Sequence, residues 1–196
     1  MKKDILAGLF WAPNILDAKH IYFEKPNQFT FTSLSFGFAK TSLGWYLAAF
    51  SQAGLCWFEP LEKPVLTRSF QEYFAGLDRT HDDYQVNQKL QQASERAFMP
   101  LHLTGTSFQL SVWRELLHTL AGEVLSYAEL GQRIARPQAA RAVGSAVGAN
   151  RIALFVPCHR VLPASGGVGG YRWGADLKAR VLQIESEFVS RHNKAA

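Results

Sequence analysis

Cysteine is scarce in this chain. Its 196 residues hold two, Cys56 and Cys158, which excludes a disulfide framework and a tetrahedral zinc site of four cysteines. Long apolar runs are missing as well. No stretch approaches the roughly 18 uninterrupted apolar residues of a membrane span, so no membrane partner is expected. The opening MKKDILAGLFWAPN sets two lysines before a short apolar run, but Asp4 and the lack of a small-residue cleavage site argue against a secretory signal. A cytoplasmic location is the expectation. Acidic residues are nearly absent from 131–180, where Asp176 alone stands against eight Lys and Arg, a local charge of +7. Residues 1–104 balance ten basic against ten acidic side chains, so the whole net charge of +5 lies in the second half. Such a surplus fits an anionic partner, nucleic acid first, or a solvated basic face; charge alone does not separate the two.

What is abundant points to folded domains. The 47% hydrophobic and 13% aromatic content is ample for a core, and the length suits one domain or two small ones. From Thr32 to Glu59, aromatic and β-branched runs broken at Ser42-Leu43-Gly44 and Ala53-Gly54 read as an antiparallel meander of about three strands. Two helical patterns follow, Thr67–Phe74 ending at Gly76 and about Gln85–Phe98 ending at Pro100. His81 beside Asp82 and Asp83 reads as a solvated loop, because no further ligands follow at metal-binding spacing. Cys56, flanked by Leu55 and Trp57, reads as a small core hydrophobe.

A second unit begins near Gly105. Phe108, Val112, Trp113, Leu116, Leu117 and Leu120 recur at helical spacing, with Gly122 placed as a C-terminal cap. Ser126-x-x-Glu129 has the pattern of a capping box, opening a short helix to about Ala135. Pro137 stops that helix and suits the first turn of the next, which carries QAARAVGSAVGAN. Two short helices about a tight break resemble a helix-turn-helix. The second is nearly bare of bulk, and glycine inside a helix costs about 1 kcal/mol relative to alanine. Close packing on another helix or close approach to a nucleic-acid groove would each justify that; Arg141, its one long basic group, favours the groove. Ile152–Val156 reads as a short buried strand leading to Cys158, and Leu177, Val181, Ile184 and Phe188 form the apolar stripe of a last helix with Glu185 at its edge. The fold class is therefore α+β with two domains: an N-terminal antiparallel β-meander with helices, then a mostly helical domain with a helix-turn-helix and a short strand before the cysteine.

Cys158 stands between a proline and a His-Arg pair. A free thiol has a pKa near 8.5 and becomes a strong nucleophile when a base or cation adjoins it. Pro157-Cys158-His159-Arg160-Val161 resembles the active-site motif of the O6-alkylguanine-DNA alkyltransferases, also called methylated-DNA–protein-cysteine methyltransferases. The resemblance extends over about 105–188, through GTSFQLSVW, Ser126-Tyr127, AARAVGSAVGAN, GGVGGYRWG and the closing helix to Glu185.

The resemblance implies a role for each matching residue. Cys158 is the alkyl acceptor, His159 the base that activates it through an ordered water, and Glu185 the acid that orients the histidine. Asn150 ties the helix-turn-helix to the active-site loop. Tyr127 assists guanine departure and helps rotate the target phosphate. Arg141 enters the duplex in place of the flipped base, and Ala140, Ala142, Gly144 and Ser145 lie along the minor groove. Val161, Tyr171 and Arg172 line the guanine pocket. The partner implied is double-stranded DNA carrying O6-alkylguanine, with O4-alkylthymine a further substrate; the protein acts as a monomer, needs no cofactor or metal, and turns over once. Residues 1–30 match no part of the family pattern and are expected to form an extension, 31–104 a ribonuclease H-like support domain, 105–190 the catalytic domain and 191–196 a tail. Arg151 stands where the family commonly has proline. The four cysteines of relatives with a regulatory zinc domain are lacking, so no such zinc is expected. A lesion binder without chemistry, a cysteine hydrolase and a helix-turn-helix regulator are the competing readings.

Overall fold

The computed structural model describes residues 21–25, 29–96 and 98–193. Most of the extension assigned to 1–30, and the tail from 194, lie outside that range. The chain divides into two compact units, 1–105 and 106–196.

The first unit is built on a six-stranded mixed sheet of order β1-β6-β4-β3-β2-β5. Its centre is the antiparallel run β2 (Ser33–Thr41), β3 (Gly44–Phe50) and β4 (Leu55–Leu61), the three strands legible in the sequence. Three four-residue strands flank them, each with a parallel pairing: β1 (Ile21–Glu24) on β6 (Leu101–Thr104), β6 on β4, and β5 (Asp78–His81) on β2. Residues 21–24 of the expected extension thus belong to the sheet. His81 lies in an edge strand rather than a loop, its ring stacked on Phe36 at 5.1 Å. Helix α1 (Arg68–Tyr73) starts at Thr67, whose hydroxyl accepts from the Phe70 amide, and buries Phe70 against Trp57, Leu47 and Phe36. Helix α2 (Asp83–Arg96) is anchored to β2 where Asn87 Nδ2 donates to Phe38 O at 2.9 Å. Gly54 has φ +146, and a Cβ there would stand 2.3 Å from Pro100 O. Only glycine lets the β3–β4 turn reach the segment leading into β6.

In the second unit, α3 (Ser107–Leu117) and α4 (Tyr127–Arg133) each begin with a capping box, Thr106 with Gln109 and Ser126 with Glu129. Each box satisfies orphan amides at the helix start. Helix α4 ends at a sharp reversal through Ala135, at φ 57, and Arg136 N donates to Gly131 O at 2.8 Å. A Cβ on Gly131 would lie 2.9 Å from Arg136 O, so the reversal depends on that glycine. Helix α5 (Ala140–Gly148) starts three residues after Pro137, later than its sequence suggests. Trp113 Nε1 donates to Ala146 O at 2.8 Å and pins α5 to α3.

The expected strand at 152–156 is instead a series of turns, with Leu154 at φ 71. Ile152 makes an isolated bridge, but the bonds beyond it are local, Phe155 N to Ala153 O and Val156 N to Ile152 O, so the run does not extend as a strand. The strand comes after the cysteine: β8 (Val161–Leu162) pairs in parallel with β7 (Leu125–Ser126). That pairing sets the start of α4 beside the turn that carries Cys158. Helix α6 (Ala175–Asn193) closes the unit. Its most buried residues are Lys178, Val181 and Glu185, while Leu177, Ile184 and Phe188 are half-buried. Glu185 therefore sits at the centre of the inward stripe, not at its edge.

Candidate active site

Cys158 opens a single 3-10 turn, Cys158–Arg160, and the three residues are all buried. Asn150, 2% exposed, shapes this turn from below. Its Oδ1 accepts from Ile152 N at 2.9 Å, and its Nδ2 faces Val156 O at 3.0 Å, Ile152 O at 3.3 Å and Cys158 Sγ at 3.1 Å. One amide thus holds the end of α5, the turns and the sulfur together. Burial pushes the Cys158 thiol above its ordinary value, against Asn150, Tyr171 and the charge of Lys178, which act to lower it. At neutral pH the sulfur is a thiol, so it needs a base to react.

The candidate base is the next residue. His159 is fully buried, and its Nε2 lies 2.9 Å from Glu185 Oε1. Burial lowers the His159 pKa more than the glutamate raises it, so the ring is neutral at pH 7. A carboxylate only accepts hydrogen bonds, so Nε2 carries the hydrogen and Nδ1 keeps its lone pair. Nδ1 is buried and has no hydrogen-bond partner among the described residues. A buried, unpartnered acceptor is costly unless it has work to do.

Glu185 serves Arg160 as well as His159. Arg160 Nε and Nη2 donate to its carboxylate at 2.7–3.1 Å, and Nη1 donates to Thr119 O and Thr119 Oγ1. Gly122 N adds a bond to Oε2 at 3.2 Å. Burial alone would raise the Glu185 pKa; His159 and Arg160 together overcome it and hold it at about 2. Lys178 is buried on the same face of α6 and donates to Val161 O at 2.7 Å and Gly170 O at 3.2 Å. It ties β8 to the glycine-rich loop, and its charge acts on Cys158. Arg160, Thr119 and Lys178 were not singled out in the sequence. The spacing of Lys178, Val181 and Glu185 by three and four residues was a usable signal, since it puts the lysine on the glutamate's face.

Tyr127 is the first residue of α4 and half-buried; burial raises its pKa, and the charge of Cys158 adds to that. Tyr171 acts to lower the Cys158 pKa, and its ring meets Trp173 edge-on at 5.2 Å. Val161 is buried beside them, and Arg172 is exposed. Of the α5 residues, Arg141, Ala142, Ser145 and Gly148 form an exposed face, and Ala140 and Gly144 are half-buried. A Cβ on Gly144 would stand 3.7 Å from the Tyr127 ring, so part of the small-residue pattern serves packing of α4 on α5. Cys56, by contrast, is a core residue packed with Trp57 and Leu47.

The chain that carries this thiol, this oriented neutral histidine and this helix pair is similar to known proteins. The family model for the 6-O-methylguanine DNA methyltransferase DNA binding domain fits residues 107–187. The methylated-DNA–protein-cysteine methyltransferase of Haemophilus influenzae is 38% identical over 126 residues, covering 59% of this chain and 70% of that protein. The bifunctional transcriptional activator/DNA repair enzyme Ada of Escherichia coli is 35% identical over 167 residues, 81% of this chain and 47% of its own length. Among solved structures, Mycobacterium tuberculosis OGT in complex with DNA superposes with a TM-score of 0.63 at 32% identity, covering 79% of this chain and 94% of the other. The chain belongs to the methylated-DNA–protein-cysteine methyltransferase family. It spans about half the length of several curated relatives that it matches.

Proposed function

We propose that the protein repairs DNA by direct reversal, moving the alkyl group of O6-alkylguanine onto Cys158. The observation that carries this reading is the unpartnered, buried Nδ1 of His159, held by Glu185 in the tautomer that can take a proton. Nδ1 takes the thiol proton through one bridging water, and Glu185 stabilises the resulting imidazolium. The thiolate attacks the alkyl carbon, a C–S bond forms, and the C–O6 bond breaks with its electrons leaving on guanine. Tyr127 donates a proton to the departing base, and both Tyr127 and His159 then re-equilibrate with solvent. The product thioether is not reversed by water, so each molecule acts once.

Chemistry at O6 requires the base outside the stack, at a cost of a few kcal/mol. Arg141, on the exposed face of α5, fills the vacated space. The shallow face of Ala142, Ser145 and Gly148 suits a minor groove, whose edges carry little sequence information. Val161, Tyr171 and Arg172 border the guanine. The same reading has residues 31–104 support the catalytic unit and the protein act as a monomer, in the cytoplasm, on double-stranded DNA.

Intact-mass measurement after incubation with an O6-methylguanine duplex tests it. One methyl should be gained per molecule, and none by Cys158→Ala. Arg141→Ala should slow transfer from duplex far more than from the free alkylated base. Lesion binding with no mass gain would sink the transfer reading.

A further inference from the structure

The eight basic residues of 131–180 do not act as one patch. Arg160 and Lys178 are buried on internal partners. Arg133 is paired with Glu123 at 2.7 Å and Glu115 at 3.6 Å. Arg136 and Arg141 are exposed along the helix pair, and Arg180 is exposed on α6. The remaining two come from separate segments and converge on one place, the carboxyl end of α5. Arg151 Nη1 donates to Ala149 O at 3.3 Å, and Arg172 Nη1 donates to Gly148 O at 3.4 Å.

A helix carboxyl end carries about half a negative charge, which would repel a phosphate there. Two guanidinium groups on its last carbonyls reverse the local sign. Arg172 is exposed and makes no other hydrogen bond among the described residues, so most of its planar fork of donors faces outward. The exposed face of α5 runs from Arg141 through Ala142 and Ser145 to Gly148, and nothing lies within 4 Å of where a Gly148 Cβ would stand. That face delivers a bound strand to the two arginines.

We infer that Arg151 and Arg172 form a phosphate-binding rim at the carboxyl end of α5, engaging the backbone of duplex DNA whose groove the helix enters. The inference rests on the reading of this unit as a DNA binder and assigns its charge to particular groups. It gives Arg151 a positive function. It also gives Arg172 a role outside the base pocket: it joins the helix end, a phosphate and the loop of Tyr171.

The test uses the full chain, a fluorescent duplex without a lesion, and a salt series. Each arginine replaced, as Arg151→Gln or Arg172→Gln, should flatten the slope of log K against log salt by about 0.9, and both together by about 1.8. Arg151→Lys and Arg172→Lys should keep the wild-type slope, which guards against a folding artefact, and circular dichroism checks each variant. Unchanged slopes in the folded glutamine variants overturn the rim, and a change from only one arginine overturns the pairing. Failure of the repair reading shows elsewhere: wild-type protein that binds duplex with a steep salt slope yet gains no methyl leaves the rim standing.

Discussion

Each unit buries a small nucleophile-type side chain, a histidine and a glutamate together, and the two sets are put to opposite uses. In the first, Ser51 Oγ lies 2.7 Å from His102 Nδ1, and Glu24 Oε2 lies 3.1 Å from His102 Nε2. Each ring nitrogen faces a polar side chain, and Phe31 packs edge-on against the ring. The trio fastens β1, β6 and the β3–β4 turn. In the second, Glu185 engages Nε2 of His159, the residue after Cys158, and leaves Nδ1 without a partner among the described residues. Composition does not distinguish these sets; the number of ring nitrogens the protein satisfies does. A histidine with a polar partner at each nitrogen is built to fasten, and one with a partner at a single nitrogen is left able to take a proton.

The sharpest way to break this comparison is to remove each histidine. His159→Ala should lower the single-turnover transfer rate by about 10²- to 10⁴-fold, the usual contribution of a positioned base. His102→Ala should leave that rate unchanged but strand Ser51 and Glu24, lowering resistance to urea by about 1–3 kcal/mol. Loss of transfer in the His102 variant would show that both clusters serve the chemistry.

Glu185 gives the next largest effects. Glu185→Gln leaves the buried Arg160 cation without its anion, a loss of about 3–5 kcal/mol in stability, together with slower transfer. The pH dependence follows from the same groups. Glu185 is held at about 2, below its ordinary 4.5, so the native state keeps this charge longer than the unfolded chain does. The stability it contributes is complete above pH 4.5 and is lost as pH falls towards 2. His159 is pushed below 6.5 and Cys158 above 9.0. Transfer should therefore hold a plateau across pH 6.5–9 and decline only below it, as His159 gains its proton. A rate that climbs steeply through pH 8 would mean that the thiol ionises unaided.

How much of this was legible in the sequence follows from the range of the forces involved. The starts of α1, α3 and α4, the strands β2–β4 and the Cys158–His159–Glu185 set rest on local caps, alternation and a dense motif. The short strands β1, β5 and β6 do not, because a four-residue edge segment such as Asp78–His81 is wholly exposed and owes its form to a neighbour. Ile152–Val156 misled for a related reason. A short apolar run is buried in either conformation, and a side-chain amide at Asn150 decided for turns. The closing network of Arg160, Thr119 and Lys178 joins residues up to 41 positions apart, beyond any local pattern.

The two cysteines extend the comparison to its smallest expected effect. Cys56 is as buried as Cys158, and burial drives its thiol up to about 12. Its sulfur donates to Ala49 O at 3.3 Å, a carbonyl that opposes ionisation, whereas Cys158 receives Asn150 Nδ2. Burial therefore does not distinguish the two sulfurs; the groups around them do. Cys56→Ala should cost about 1 kcal/mol, the scale of one lost core atom group, and should still gain one methyl with the wild-type rate. Peptide mapping of Cys158→Ala after incubation with the O6-methylguanine duplex completes the test. A methyl found on Cys56 would show that proximity to DNA, not the donors and base around the sulfur, selects the acceptor.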